Sequence, residues 1–283
     1  MDFYYVNNRN ERIDLSDYPY MFQSGDLLNW KDSYTTRSLA KRDITSDYKL
    51  AVKEIPVQIA VLCDFSIPMA DRKEGWKEAV DHLADVLQAD VIDGKDGRIY
   101  TDTGYYMNCK IIGSEKSNWK MGLPFMFNTI TVLADRPVWI REVPYYFKSA
   151  EITSTNNKRY PGRHAYRYAN GLNNTSITNE HYAECNFLLR IYGPCLKPSV
   201  YIGGHEYHVD ITLEDGEYLE IDSAEETVIK YMSSGIRVNA FHNRSFQNSV
   251  FLPIQTGKQD VFWDGKFDFD LILYEERSEP RWS

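Results

Sequence analysis

His205-Glu-Tyr-His208, with Asp210 just beyond, gathers the residue types best suited to hold a metal ion. Imidazole and carboxylate are the common nitrogen and oxygen ligands of zinc and related cations. The spacing works against that reading. In an extended segment, positions 205 and 208 point to opposite faces, so a shared ion would need a bulge. Strand histidines that are hydrogen-bonded or face solvent are the preferred reading. Asp93-Gly-Lys-Asp-Gly97 places oxygen ligands among glycines, but it lacks the regular spacing and the terminal glutamate of a calcium loop and reads as a turn.

Hydrolytic chemistry is no better supported. With 41 Asp and Glu residues, pairs of carboxylates abound, and only their separation in space would make a glycosidase of them. Asp264-Gly-Lys-Phe-Asp-Phe-Asp270 is acidic and aromatic, as some sugar sites are. Its alternation has a plainer account, with Phe267, Phe269 and Leu271 inward and Asp268 and Asp270 outward. Lys158, Arg159, Arg163 and Arg167 form a basic island that suits phosphate, a solvated loop or an acidic neighbouring subunit. No GxSxG, HExxH, GxxxxGK[ST] or GxGxxG occurs. The four cysteines lack CxxC spacing. Cys109 falls in an alternating run as a small apolar residue, and Cys185 and Cys195 lie close enough in sequence for a bridge across a short loop. No catalytic, cofactor-binding or metal-binding residue is assigned, and no cofactor is expected.

The elements behind these residues are mostly strands. From Phe187 onward, short alternating segments are divided by turns: Phe187–Tyr192, Val200–Ile202, Tyr207–Leu213, Tyr218–Ile221, Thr227–Tyr231, Arg237–Phe241, Val250–Leu252, Asp260–Trp263 and Phe267–Tyr274. Such spacing predicts an antiparallel sandwich or jelly roll. In the first half, Lys53–Cys63 puts Ile55, Val57, Ile59 and Val61 on one face, with Pro56 marking a strand start or a sheet edge. Tyr105–Ile112, Thr129–Ala134 and Val138–Phe147 are further strands. Tyr4–Val6 and Arg12–Leu15 read as the arms of a hairpin, and residues 33–48 as a long exposed loop or edge hairpin.

One helix interrupts this pattern. Asp71-x-x-Glu74 has the form of a capping box, and Trp76, Ala79, Val80, Leu83, Val86 and Leu87 recur at helical spacing. The helix is expected over 72–88, lying on a sheet. Residues 91–100 read as hairpin punctuation. Between 149 and 181 the periodicity collapses, which predicts a linker or arm. The domains are therefore expected at 1–148 and 182–283, separated by 149–181.

Bulk composition narrows the partners. A formal charge of −9 argues against duplex nucleic acid or an anionic membrane as the main partner. The opening residues lack the basic and apolar regions of a secretory signal, and no apolar run of transmembrane length occurs. Asn-x-Ser/Thr triplets at 173, 174 and 243 then read as chance matches. Aromatic residues make up 14% of the chain, with 21 tyrosines, a content that fits either tyrosine-rich interfaces or ordinary pleated surfaces.

Several stretches carry a family resemblance. Phe187-Leu-Leu-Arg-Ile-Tyr-Gly-Pro-Cys195, Gly216-Glu-Tyr-Leu-Glu-Ile-Asp-Ser223 and Phe269-Asp-Leu-Ile-Leu-Tyr-Glu-Glu-Arg-Ser-Glu-Pro-Arg-Trp282 resemble the distal tail (Dit) proteins of long, non-contractile-tailed phages. Such phages also occur as prophages of Gram-positive bacteria. Trp119, Phe127-Asn-Thr-Ile-Thr-Val132 and Pro137-Val-Trp139 resemble the same family. The resemblance implies a mainly β protein in two parts. A tail-tube-like N-terminal β domain with one flanking helix would form a homo-hexameric ring, and a galectin-like C-terminal β-sandwich would project from it. It further implies a structural, non-enzymatic hub at the virion tail tip, assembled in the host cytoplasm. Its partners would be the tail tube protein and tail-tip, baseplate or receptor-binding proteins. The rival reading is a carbohydrate-binding sandwich or glycoside-active jelly roll, with Trp139 or Trp263 as the sugar platform.

Overall fold

The computed structural model describes residues 1–63, Ser66, Pro68, 71–119, 124–149 and 173–282. The basic island at 158–167 lies outside them, as does most of the expected linker. The chain divides into two compact units, Met1–Arg141 with Glu276–Ser283, and Glu142–Glu275. The division differs from the expected domains. It falls at Arg141 rather than 148, and the last residues return to the first unit.

In the first unit β1 (Phe3–Val6) pairs with β2 (Arg12–Asp14), the hairpin expected around Asn7–Asn10. After β3 (Ser16–Asp17) and β4 (Tyr20–Gly25) comes a separate two-stranded ribbon, β5 (Ser33–Leu39) and β6 (Arg42–Lys49). Next is β7 (Lys53–Leu62), where Ile55, Val57, Ile59 and Val61 are all buried as their alternation requires. Pro56 lies near the start of β7, which is flanked farther along by β4 and throughout by the later β10 (Phe125–Ala134). Pairing with β4 stops at Val57, so Pro56 sits just past the end of that ladder.

The one α-helix among the described residues, α1, spans Arg72–Asp93, longer than the expected 72–88. Asp90 interrupts the apolar stripe in sequence, yet it lies in register with Leu83, Val86 and Leu87 and is fully buried. Residues 91–93 are therefore helix rather than hairpin punctuation. Gly94 ends the helix in the left-handed region (φ 62°) and returns its N–H to the Asp90 carbonyl, a conformation glycine adopts without strain. The N-terminus also departs from the expectation. Asp71 is the N-cap, but its side chain makes no capping bond, so no capping box forms. Its own backbone is already helical (φ −93°, ψ −16°), away from the extended geometry that a capping side chain favours.

The sheet continues with β8 (Gly97–Thr101), β9 (Tyr106–Ser117) and β10, and β11 (Trp139–Phe147) leads into the second unit. The ladder of the first unit runs β2-β1-β8-β9-β10-β7-β4-β3. Leu15 separates the two end strands. It donates to Phe3 O in β1 and accepts from Phe22 N in β4, so the sheet curls round until its ends share one residue. The core inside is built from Phe3, Tyr5, Ile13, Leu15, the inward face of β7, Met107, Cys109, Ile130, Val132 and Trp139, and is closed by α1.

The second unit is a sandwich. β12 (Asn173–Asn179), expected within the linker, is a strand paired along its length with β21 (Gly257–Trp263). Between them lie β13 (Asn186–Tyr192), β14 (Cys195–Leu196), β15 (Ser199–Ile202), β16 (His205–His208), β17 (Thr212–Leu213), β18 (Tyr218–Asp222), β19 (Thr227–Tyr231) and β20 (Arg237–Asn239). β22 (Phe269–Arg277) closes the series. One sheet contains β20-β19-β18-β13-β22, the other β12-β21-β15-β16. Val250–Leu252, expected as a strand, lies in irregular backbone, with Val250 still fully buried. Phe187, Leu189, Ile191, Leu219, Ile221, Phe269 and Leu271 from the first sheet meet Ile177, Val200, Ile202, Tyr207, Val261 and Trp263 from the second.

Candidate assembly surfaces

The residues with metal-ligand chemistry are engaged separately. His205 Nε2 is 2.7 Å from Ser249 O and His208 Nδ1 is 3.1 Å from Pro198 O, so each ring holds a different carbonyl. Asp268 pairs with Lys148 (2.9 Å) and accepts from Ser149 N (2.7 Å), while Asp270 accepts the Tyr192 hydroxyl (2.7 Å). Phe267, Phe269 and Leu271 are core, as the alternation requires. The four cysteines are free, so Cys185 and Cys195 form no bridge. Burial raises the Cys109 thiol well above its usual range, and Cys195 is pushed up to about 11, again chiefly by burial. Trp139 and Trp263 are 1% and 4% exposed, so neither offers a face to a sugar ring. Trp263 instead donates to Phe267 O (3.2 Å) and packs edge-on against Phe147 and Phe269.

The features that point outward are different ones. No residue of the β5–β6 ribbon is buried. A two-stranded hairpin with neither face covered is at best marginally stable alone, so its shape implies an outside partner. Its pairing sets its faces, since directly opposed residues share one side. Thr35 opposes Ser46, Arg37 opposes Ile44 and Leu39 opposes Arg42, which gives a face of two cations, two aliphatics and two hydroxyls with no carboxylate. Ser38 opposes Asp43 on the reverse face and donates to it (2.6 Å). Among the described residues, neither Arg37 nor Arg42 has an ion-pair partner.

A second feature lies along α1. Beyond the stripe that enters the core, Ala84, Gln88, Val91 and Ile92 form an outer row at helical spacing. With Ile112 and Gly113 of β9 they line a groove of about 460 Å³. Val91, Ile92 and Ile112 are 50%, 71% and 45% exposed, an unusual density of aliphatic surface. The end of α1 that carries this row is pinned from inside. Tyr5 donates its hydroxyl to Asp90, and Asn8 N donates to the other carboxylate oxygen (2.7 Å). Asn7 Nδ2 reaches Val86 O (3.2 Å). Burial first, and the bond to Asp90 second, raise the Tyr5 phenol far above its ordinary value, so it stays a donor. A side chain at Gly97 would run into the Asp90 carboxylate, which gives that glycine its reason. Sequence reading missed this network because a lone aspartate in an apolar row looks like the end of a helix.

A third feature is a groove of about 610 Å³ in the first unit. Phe3, Phe22, Leu27, Trp30 and Trp282 line it, with the Trp282 indole donating to Glu279 (2.7 Å).

Comparison with known proteins places this architecture. No family model and no curated protein sequence matches the chain. Among solved structures it is similar to the SPP1 Dit (gp 19.1) protein, described as a paradigm of the hub adsorption apparatus in phages infecting Gram-positive hosts. There the TM-score is 0.58 at 13% identity, covering 97% of this chain and 99% of that one. It is also similar to a chain of the phage p2 baseplate in its activated conformation with Sr (TM-score 0.63, 12% identity, 99% of this chain and 100% of that one). A chain of the phage P2 baseplate with Ca gives 0.62 at 12% identity, with 99% of each chain covered. Along essentially its whole length, the chain has the mainly β fold of the phage Dit hub and baseplate proteins.

Proposed function

We propose that this chain is a structural, non-enzymatic phage tail protein. It forms a homo-hexameric ring that joins the distal end of the tail tube to the tail tip or baseplate, and so to receptor-binding proteins, at the virion tail tip. Assembly takes place in the cytoplasm of the bacterial host. The observation that carries the reading is the full-length likeness in fold to hub and baseplate chains. The uncovered β5–β6 hairpin supports it independently, because a monomer has no use for an apolar, cationic ribbon held clear of its core. The burial of Trp139 and Trp263 counts against the rival reading as a sugar binder.

The test is the mass of the full chain in solution across concentration, with negative-stain imaging of the particles. A six-fold ring is the expected result. Six copies at −9 each carry about −54, so long-range repulsion opposes closure at low ionic strength. Raising salt from about 0.01 M to about 0.3 M shortens the screening length from roughly 30 Å to under 10 Å and favours the ring. A monomer at every concentration and salt overturns the reading.

A further inference from the structure

We propose that the cationic face of the β5–β6 hairpin seats in the α1–β9 groove of a second copy of this chain. The inference rests on the ring reading above and names the contact that closes the ring. Chemistry and charge both favour that occupant. The hairpin presents Leu39 and Ile44, 53% and 39% exposed, between Arg37 and Arg42. The groove presents Val91, Ile92 and Ile112, and the helix bordering it carries Asp81 and Asp85, both exposed. Asp81 lies one turn before Ala84, and Asp85 one turn before Gln88, so both carboxylates flank the N-terminal end of the apolar row. Neither has an ion-pair partner among the described residues. Asp93, at the other end, is already held by Arg9 (2.8 Å). The groove has one lining cation, Lys116, which donates to Ser114 Oγ (3.1 Å).

Across the whole ribbon, Arg37, Lys41, Arg42 and Lys49 outnumber Asp43 and Asp47 in a chain that is otherwise acidic. This sign also fixes the symmetry. Hairpin face against hairpin face would oppose arginine to arginine, and groove against groove would oppose aspartate to aspartate. Both two-fold arrangements are therefore repulsive, and only hairpin to groove is attractive. A contact between two different patches is head-to-tail, the kind that generates a closed ring.

The test uses the full chain with Cys195→Ser, because the other three cysteines are buried. One preparation carries Leu39→Cys and a mass-distinguishable one carries Ile92→Cys. They are mixed and oxidised mildly. A disulfide joining position 39 of one copy to position 92 of the other is expected, and read by peptide mass. In parallel, Arg37→Glu with Arg42→Glu raises the concentration needed for assembly about tenfold or more. Adding Asp81→Lys and Asp85→Lys to the same chain restores it. All these side chains are exposed, so the variants keep the fold, checked by unchanged thermal unfolding. If the wild type forms rings while the cross-link is absent, or the arginine variant assembles as well as wild type, the hairpin-to-groove contact is wrong and the ring stands. If the wild type never associates, both fall.

Discussion

The β5–β6 hairpin and the outer face of the β13-β18-β19 strands are built from the same materials. Both are antiparallel, both carry tyrosine and arginine, and both point away from a core. They differ in where their partners are. In the second unit Arg190 stands between Glu220 and Asp270 on neighbouring strands and bonds Glu220 (2.5 Å), while Tyr192 donates to Asp270 (2.7 Å). Tyr218 stacks on Tyr231 at 4.5 Å with an 8° tilt, and Arg237 lies over Tyr231. Each charge there is answered by a cross-strand neighbour. On the hairpin face, Arg37 and Arg42 stand among two aliphatics and the Thr35–Ser46 pair, with no carboxylate opposite either. A surface that satisfies itself needs no partner, and one that leaves its cations and apolar groups open is shaped for something else. Tyrosine and arginine content alone therefore does not mark an interface; the pairing does.

The largest effects on stability should fall where the alternation is buried. Phe269→Ala removes a ring that stacks on Phe147 at 4.4 Å and is 0% exposed, and should cost the second unit about 3–5 kcal/mol. Ile44→Ala in the hairpin should stay within about 0.5 kcal/mol. Urea unfolding of both variants checks the contrast. Equal costs would mean that the hairpin is packed in the monomer.

The same contrast runs along the two sides of α1. Leu83 is 1% exposed and faces the core, so Leu83→Ala should cost about 2–5 kcal/mol. Ile92→Ala, on the outer row, should leave unfolding nearly unchanged and weaken assembly instead. A destabilised Ile92→Ala monomer would show that the outer row belongs to the fold.

Most of the strands and helix α1 were legible because a half-buried strand and a helix on a sheet each write a period into the sequence. β7 shows this over Ile55–Val61 and β22 over Phe269–Glu275, where every second residue is buried. What was not legible depended on contacts far apart in the chain. The last turn of α1 is held by Tyr5 and Asn8, more than eighty residues away, which no local pattern reveals. Over Thr175–Asn179 the one apolar side chain that β12 gives to the core is Ile177, so the segment writes no alternation into the sequence. The hairpin was legible only as an exposed segment. Its two faces emerge from the register, which is a property of the pairing and not of either strand alone.

The Asp90 network is a smaller test of the same idea, an interior polar group answered from within. Tyr5→Phe keeps the ring but removes the hydroxyl that serves the buried carboxylate, and should cost about 1–3 kcal/mol. Because the network holds the end of α1 that carries Val91 and Ile92, hydrogen exchange in residues 86–93 should quicken as well. A variant with wild-type stability and unchanged exchange would remove the network from the support of the groove.

The smallest effect should come from a carboxylate satisfied at the surface. Glu206 accepts from Ser199 Oγ (2.7 Å) and Tyr201 OH (2.8 Å), and from Asn248 at 3.3 Å. These bonds, Ser199's first, hold its pKa below the ordinary carboxylate range. A depressed folded-state pKa stabilises the fold fully above the unfolded value of about 4.3, and that contribution is lost as pH falls through the folded value. Glu206 is half-buried and still reached by solvent, so screening keeps the effect under about 1 kcal/mol. Wild type should therefore unfold at slightly higher urea than Glu206→Gln at pH 7, and the gap should narrow as pH falls below the unfolded value. The hairpin supplies the control. Arg37→Gln with Arg42→Gln removes charges that no carboxylate answers among the described residues, so its monomer stability should track wild type at pH 7 and pH 3. A gap between Glu206→Gln and wild type that is the same at pH 7 and pH 3 would mean that the bonds to Glu206 do not depend on its charge.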